Sequence, residues 1–192
     1  MMRQEQLSIV TDKYLTCFNN ILDQMIQQMN SAQLSNSISY NFIVQMIPHH
    51  KAAIEMSCNL LQYTTLVPLQ EIALNIIEEQ TKSIENMEAF RCQMFCTPPQ
   101  KIELFLCHYK QITQTMFDDM RNACYTNDIN ANFIREMIPH HRGAIQMSRN
   151  ALQFPICQEL KPIIQSIIVS QQNGIREMEC LLKCIEKCDR PC

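Results

Sequence analysis

The sequence predicts an all-α protein built from two tandem three-helix repeats. Three observations support this fold class: an internal duplication, apolar residues at helical spacing, and only 2 glycines in 192 residues. Few glycines mean few tight turns, which favours long helices joined by short loops. A composition of 46% hydrophobic and 18% charged residues is typical of a globular protein with a real core.

One unit is present twice in the chain. The segment NFIVQMIPHHKAAIEMSCNLLQ begins at Asn41, and NFIREMIPHHRGAIQMSRNALQ begins at Asn132, 91 positions later. The same offset continues without a gap on both sides of the motif. A constant offset of this kind indicates a duplicated structural unit. We expect the first helical repeat to cover residues 1–96 and the second residues 97–192, docked as one compact unit.

Each repeat is predicted to contain three helices, A, B and C, because apolar residues recur every three or four positions. In the first repeat they cover about 11–33, 41–63 and 68–95; in the second they begin near 100, 132 and 158, and the last ends near 187. Pro68 suits the first turn of helix C. The TPP at residues 97–99 separates the repeats.

Methionine and histidine are kept between the two copies, whereas cysteine is not. The chain has 13 methionines and 11 cysteines, and no cysteine aligns with another. A core that needs only volume tolerates exchange of methionine for leucine at less than about 1.5 kcal/mol. Retention in both copies therefore indicates that the sulfur is used. The aligned pairs are Met25 with Met116, Met29 with Met120, Met46 with Met137, Met56 with Met147, Met87 with Met178, His49 with His140, and His50 with His141.

Sulfur and imidazole groups share one side of helix B. At about 100° per residue, Met46, His49 and Met56 lie together around the small Ala53, with His50 at the edge. Thioether and imidazole ligands together favour copper-like ions, and thioethers favour Cu(I). The alternative is that methionine fills an adaptable core.

A proline stands beside the histidines in both copies. Pro48 and Pro139 fall inside the helix B pattern, where a proline removes a backbone hydrogen bond and kinks the helix. We interpret the kink as shaping a site; the alternative is that the proline marks the true helix start. Gln80 and Gln171 interrupt the apolar stripe of helix C. Each is predicted to orient a histidine ring through a hydrogen bond.

The sequence therefore predicts a copper ion, with Cu(I) favoured, bound by ligands from all three helices. Helix B of the two repeats supplies Met46, His49, His50, Met56, Met137, His140, His141 and Met147. Helices A and C, which face helix B, supply Met25, Met29, Met87, Met116, Met120 and Met178.

These motifs resemble those of the domain-of-unknown-function 305 family, a helical family placed among ferritin-like folds. Its pattern F-(I/L)-x-x-M-I-P-H-H-x-x-A-I-x-M stands here at residues 42–56 and 133–147, and Q-x-x-E-I-x-x-M at 80–87 and 171–178. The Glu of the second pattern is Ser83 in one copy and Gly174 in the other. The resemblance implies a ferritin-like helical bundle that binds copper or confers copper resistance through Met46, His49, His50 and their counterparts.

Charge and hydropathy narrow the partners. A net charge of −3 gives no basic field, so nucleic acid is not expected. No apolar run is long enough to span a membrane, and no signal peptide is recognisable at the N-terminus. We expect a cytoplasmic protein; the alternative is the mature form of an exported protein. A homo-oligomer is compatible with the sequence.

The cysteines form a separate pattern. Cys180, Cys184, Cys188 and Cys192 recur every four residues, and Cys92 and Cys96 share this spacing. A spacing of four places thiols on one helix face. They could bind Cu(I) or zinc, form disulfides, or serve as small apolar residues.

Three functions are compatible with these patterns to different degrees. The first is a non-enzymatic soft-metal binder that sequesters, stores or carries copper. The second is a structural or partner-binding bundle without metal. The third, a ferritin-like di-iron protein, needs Glu-x-x-His pairs from facing helices, and neither MIPHH motif carries one. No motif of an enzyme is recognised, so catalysis is not expected.

Overall fold

Six α-helices make up the fold in a computed structural model, which describes residues 6–90 and 98–188. They are α1 (Ile9–Asn30), α2 (Ile38–Leu61), α3 (Val67–Glu88), α4 (Pro99–Arg121), α5 (Ile129–Leu152) and α6 (Leu160–Cys188). No strand occurs in these described ranges. The predicted all-α architecture of two three-helix repeats is confirmed. The expected repeat boundary falls in residues 91–97, outside the described residues, as does the predicted end of helix C near 95.

Helices α2 and α5 begin three residues earlier than the sequence pattern predicts, because of their N-caps. The hydroxyl of Ser37 accepts a hydrogen bond from the backbone N–H of Tyr40, at 3.4 Å. The carboxylate of Asp128 accepts from the N–H groups of Asn130, at 2.8 Å, and Ala131, at 3.3 Å. Such side chains satisfy the unpaired donors of a first helical turn and fix its start.

Equivalent hydrogen bonds in the two repeats show that both copies fold in the same way. The Asn59 amide donates to the carbonyl of Tyr14 at 3.1 Å, and its counterpart Asn150 donates to the carbonyl of Phe105 at 3.2 Å. Both bonds are buried and tie the middle helix of a repeat to its first helix. A 91-residue shift maps one bond onto the other, so the duplication extends to individual contacts.

The two middle helices bring the repeats together. Helix α2 packs against α1 and α3, and α5 packs against α4 and α6. In addition, α2 packs against α5 and α3 against α6. Side chains from both repeats therefore join one hydrophobic cluster. None of the helices that the structure describes is both long and apolar enough to cross a membrane.

Both prolines of the MIPHH motifs lie well inside helices. Pro48 is in the middle of α2 and Pro139 in the middle of α5. The alternative in which each proline marks a helix start is therefore wrong. Pro48 is buried and Pro139 is partly buried, and both helices continue past the proline despite the lost backbone hydrogen bond, whose removal typically costs about 3 kcal/mol or more.

Candidate metal centre

Four histidines lie together where α2 packs against α5. His49 and His50 belong to α2, His140 and His141 belong to α5, and each is at most 1% exposed. The rings of His49 and His140 stack with centroids 3.7 Å apart and planes inclined by 29°. Within each repeat the two neighbouring rings are 5.9 Å apart. The four predicted histidines thus form one cluster shared by both repeats.

Burial keeps these imidazoles neutral. It lowers the pKa of His50 to about 3 and that of His140 to about 4. Burial, and then the neighbouring histidines, hold the pKa of His49 and of His141 well below the usual value. Desolvation disfavours a charged ring, and adjacent rings would repel one another if both were protonated. Neutral imidazole is the form that binds metal ions.

The histidine nitrogens are only partly satisfied. The Nε2 of His140 lies 3.2 Å from the carbonyl oxygen of His49, so this nitrogen carries the proton and donates. The Nδ1 of His140 then carries a lone pair. In the rings of His49, His50 and His140, Nδ1 is buried and has no hydrogen-bond partner among the described residues, whereas the His141 ring is hydrogen-bonded to the backbone of Met137. Buried polar atoms are rarely left in this state, so these nitrogens are available to a ligand.

One methionine reaches a histidine directly. The Sδ of Met116, on α4, lies 3.3 Å from the Nε2 of His49, on α2. Among the described residues this is the methionine whose sulfur lies within hydrogen-bonding distance of a ring nitrogen. The other nine candidates are buried in the core at no more than 2% exposure: Met25, Met29, Met46, Met56, Met87, Met120, Met137, Met147 and Met178.

The predicted glutamine partners of the histidines are wrong. Gln80 is 1% exposed, and neither its amide nitrogen nor its amide oxygen has a hydrogen-bond partner; the amide oxygen of Gln171 also lacks one. The neighbour that does contact a histidine is Ser83, whose Oγ lies 3.1 Å from the Nε2 of His50. Gln80 precedes Ser83 by three positions on α3, which places it on the same helix face one turn away, but its amide makes no hydrogen bond to the ring.

The counterpart of Ser83 makes a different contact. A Cβ placed on Gly174 would lie 3.1 Å from the Nε2 and Cδ2 of His141. The backbone of α6 therefore approaches this ring closely, and only a residue without a side chain fits without a shift. In the first repeat a hydroxyl faces the ring; in the second the backbone does.

A cavity of about 210 Å³ lies between α3 and α6, next to the cluster. Its lining includes Glu79, Lys82, Ser83, Ser166 and Ser170. Because the Oγ of Ser83 contacts His50, one side chain separates the cavity from the buried rings.

A second buried polar contact joins the repeats, and the sequence pattern did not single it out. The Tyr14 hydroxyl on α1 donates to the Oε2 of Glu136 on α5 at 2.8 Å, while Oε1 lacks a hydrogen-bond partner. Burial raises the pKa of Glu136 to about 8, although the hydrogen bond from Tyr14 opposes the rise. Burial and this carboxyl also raise the pKa of Tyr125 to about 12. The sequence feature that could have identified this contact is Glu136 itself, a charged residue on the buried face of helix B.

Carboxylate and thiol groups do not gather around the histidines. Among residues 6–90 and 98–188, no three His, Cys, Asp or Glu side chains are placed to hold an ion together. Cys180 and Cys184 are free and exposed on α6. The side chain of Cys188, together with Cys92, Cys96 and Cys192, lies outside what the structure describes, so the thiol hypothesis is untested. An ion at the cluster would depend on imidazole nitrogen and thioether sulfur.

Comparisons with known proteins agree with this architecture. The family model described as Domain of unknown function (DUF305) matches residues 18–91 and 109–182. The crystal structure of a DUF305 fragment from Deinococcus radiodurans is similar, with a TM-score of 0.56 and 22% sequence identity. The similarity covers 79% of this chain and 97% of that one, and at this identity it shows the fold. No curated protein is similar enough to the chain to count as a match.

Proposed function

The chain belongs to the DUF305 family, whose model matches it twice, and we propose that it binds a soft metal ion, with Cu(I) favoured. In this proposal the protein sequesters, stores or carries the ion. Imidazole nitrogens of the histidine cluster and the sulfur of Met116, which contacts His49, supply the ligands. The other core methionines, Met25 among them, are outside this proposed ligand set.

One observation carries the proposal: four neutral, buried imidazoles meet where α2 packs against α5, and the Nδ1 atoms of His49, His50 and His140 have no hydrogen-bond partner among the described residues. A polar nitrogen without a hydrogen-bond partner is unfavourable in a core, and binding a cation would remove this penalty. The Sδ of Met116, 3.3 Å from a ring nitrogen, adds a soft donor. Imidazole with thioether fits copper-like ions better than the oxygen-preferring Mg²⁺ or Ca²⁺.

Burial favours holding an ion over catalysis. A catalytic metal site keeps a ligand position open for water or substrate. The rings of His49, His50, His140 and His141 are at most 1% exposed. We therefore expect a bound ion to be shielded from solvent, and the protein to act without turnover.

The test is binding of Cu(I) or Ag(I) to the full chain under reducing conditions. Thiols would compete, so all eleven cysteines are replaced, the buried Cys157 by alanine and the others by serine. Because this also removes the disulfide of Cys157, the metal-free Tm of the cysteine-free chain is first compared with that of the original chain. A ligand that binds only the folded state at 100 times its Kd should raise Tm by about 5–10 °C. Zn²⁺ and Mg²⁺ serve as comparison ions, which we expect to produce smaller shifts.

The double variant His49→Gln, His140→Gln removes the stacked rings and should abolish most of the shift. Its fold is checked by circular dichroism before metal is added. If the parent protein shows no shift with Cu(I) or Ag(I), the alternative of a structural helical bundle without metal replaces the proposal. If the double variant binds as the parent does, the histidine cluster is not the site.

A further inference from the structure

The contacts around the histidine cluster differ between the repeats. His140 and Met25 are the counterparts of His49 and Met116. If the repeats were equivalent, a contact between His140 and Met25 would therefore accompany the contact between His49 and Met116. The two rings do share one type of contact, because the Nε2 of His140 donates to the carbonyl oxygen of His49 at 3.2 Å and the His49 ring is in turn hydrogen-bonded to the backbone of His140. The thioether contact is the one that differs. The Nε2 of His49 faces the Sδ of Met116 at 3.3 Å. Only one of the two possible imidazole–thioether pairs is therefore formed among the described residues.

Gly143 explains why Met116 reaches the ring. A Cβ placed on Gly143 would lie 2.1 Å from the Sδ of Met116 and 2.7 Å from its Cγ. These separations are far shorter than any van der Waals contact, so the methionine side chain occupies the volume that a larger residue would fill. The lack of a Cβ on α5 allows α4 to place the thioether against His49.

The equivalent position in the first repeat is filled. Ala52 is the counterpart of Gly143 and is buried at 4% exposure. Met25, the counterpart of Met116, lines a small surface depression with Ala52, Pro48 and Lys51. A methyl group thus stands where the second repeat leaves space, and Met25, which is 1% exposed, has no hydrogen-bonding contact with a histidine ring among the described residues.

We infer that the chain holds one soft ion in a single site between the two repeats. His49 from the first repeat and Met116 from the second are its ligands. Gly143 is the positioning residue of this site. The inference rests on the proposed function and specifies one site in the chain, although the duplication would allow one in each repeat. The observed separation of 3.3 Å is close to the ~3.6 Å between nitrogen and sulfur ligands that share a tetrahedral ion.

The repeat itself supplies matched controls. Met116→Leu removes the thioether with little change in volume, and Met25→Leu makes the same change at the equivalent position. Gly143→Ala displaces the thioether, whereas Ala52→Gly leaves it in place. Alanine is a better helix former than glycine, so loss of binding in Gly143→Ala would not be explained by a weakened helix. Tm without metal is measured for each variant.

The experiment is a titration of the cysteine-free full chain with Ag(I), followed by NMR of [13C]methyl-labelled methionines. We expect one equivalent to saturate binding and to shift the Met116 methyl signal, identified by its absence in Met116→Leu. Met116→Leu and Gly143→Ala should lower the affinity for Ag(I) by about 10–100-fold. Met25→Leu and Ala52→Gly should bind as the parent protein does.

The outcomes separate this inference from the proposed function. Binding of two ions per chain, or equal loss of affinity in Met25→Leu and Met116→Leu, would overturn the single site while leaving metal binding intact. An unchanged Met116 methyl signal in a chain that binds Ag(I) would do the same. Absence of any binding to the parent protein would overturn the function and the inference together.

Discussion

The rings of His49 and His140 stack with centroids 3.7 Å apart, and this contact joins the two halves of the duplicated chain. Each ring is fully buried. Protonation of either ring would place a charge in the core against its partner. The relationship between these two residues therefore links the pH of the solution to the packing of α2 on α5.

Acidification should destabilise the protein between about pH 6.5 and pH 4. The folded-state pKa of each clustered histidine is lowered, to about 3 for His50 and about 4 for His140. In this window the unfolded chain binds more protons than the folded one, so the free energy of unfolding decreases as pH falls. The loss approaches about 1.4 kcal/mol per histidine for each pH unit. Urea denaturation of metal-free protein at pH 7.5, 6 and 5 measures it.

The double variant His49→Gln, His140→Gln should show a shallower decrease over the same pH range, since two titrating rings are removed. His108→Gln is the control, because His108 is a half-buried residue of α4 outside the four-ring cluster. An equal pH dependence in the parent protein and the double variant would show that these rings do not determine acid stability.

The buried carboxyl of Glu136 should produce the opposite dependence at higher pH. Its pKa is raised to about 8 in the folded protein, so between about pH 4.5 and pH 8 the folded state retains a proton that the unfolded state loses. This contribution is fully present below pH 4.5 and is lost as pH rises through 8. Glu136→Gln keeps an acceptor for Tyr14 without a charge. At pH 9 the variant should be more stable, by at most about 5 kcal/mol.

The measurement is urea denaturation of parent and Glu136→Gln at pH 5, 7 and 9. At pH 5 the two proteins should differ little, because the carboxyl is protonated in the folded state and accepts the Tyr14 hydrogen bond as the amide would. Greater stability of the parent protein at pH 9 would contradict this account of Glu136.

Transfer of this pair to the equivalent position, 91 residues away for each member, tests whether Tyr14 makes the carboxyl tolerable. The counterpart of Glu136 is Gln45, and the counterpart of Tyr14 is Phe105. Gln45→Glu alone should destabilise the protein, because a buried acid then lacks its hydroxyl donor. Adding Phe105→Tyr should restore about 0.5–1.5 kcal/mol, the usual value of one hydrogen bond. A double-mutant cycle at pH 6 measures the coupling; zero coupling would mean that the donor does not reach the acid.

Periodicity and duplication were sufficient to predict the helices, their order, and the burial of the methionines and histidines. These properties follow from local spacing and from what both copies share. The partners of the histidines depend on how α3, α4 and α6 approach the middle helices, which local spacing does not specify. For this reason Ser83 was missed as the partner of His50, and Gln80 was chosen wrongly.

The positions of the two glycines indicate close contacts between helices, which the apolar periodicity does not reveal. Both Gly143 and Gly174 lie inside helices, where glycine costs about 1 kcal/mol relative to alanine. Each stands where another group comes too close for a Cβ: Met116 in one case and His141 in the other. An unfavourable helix residue beside a predicted ligand therefore marked the close approaches that shape the cluster.

Removal of the Ser83 hydroxyl should unpair the Nε2 of His50. This atom is 3.1 Å from the Ser83 Oγ, and the ring is 1% exposed. Ser83→Ala leaves the nitrogen buried without a partner, which should lower the free energy of unfolding by about 1–3 kcal/mol. Ser166→Ala is the control, since it removes a hydroxyl from the lining of the same cavity without contacting a histidine. Because the lost partner is replaceable by a cation, Ag(I) should recover more stability in Ser83→Ala than in Ser166→Ala. Equal denaturation midpoints for the two variants without metal would show that water replaces the serine at His50.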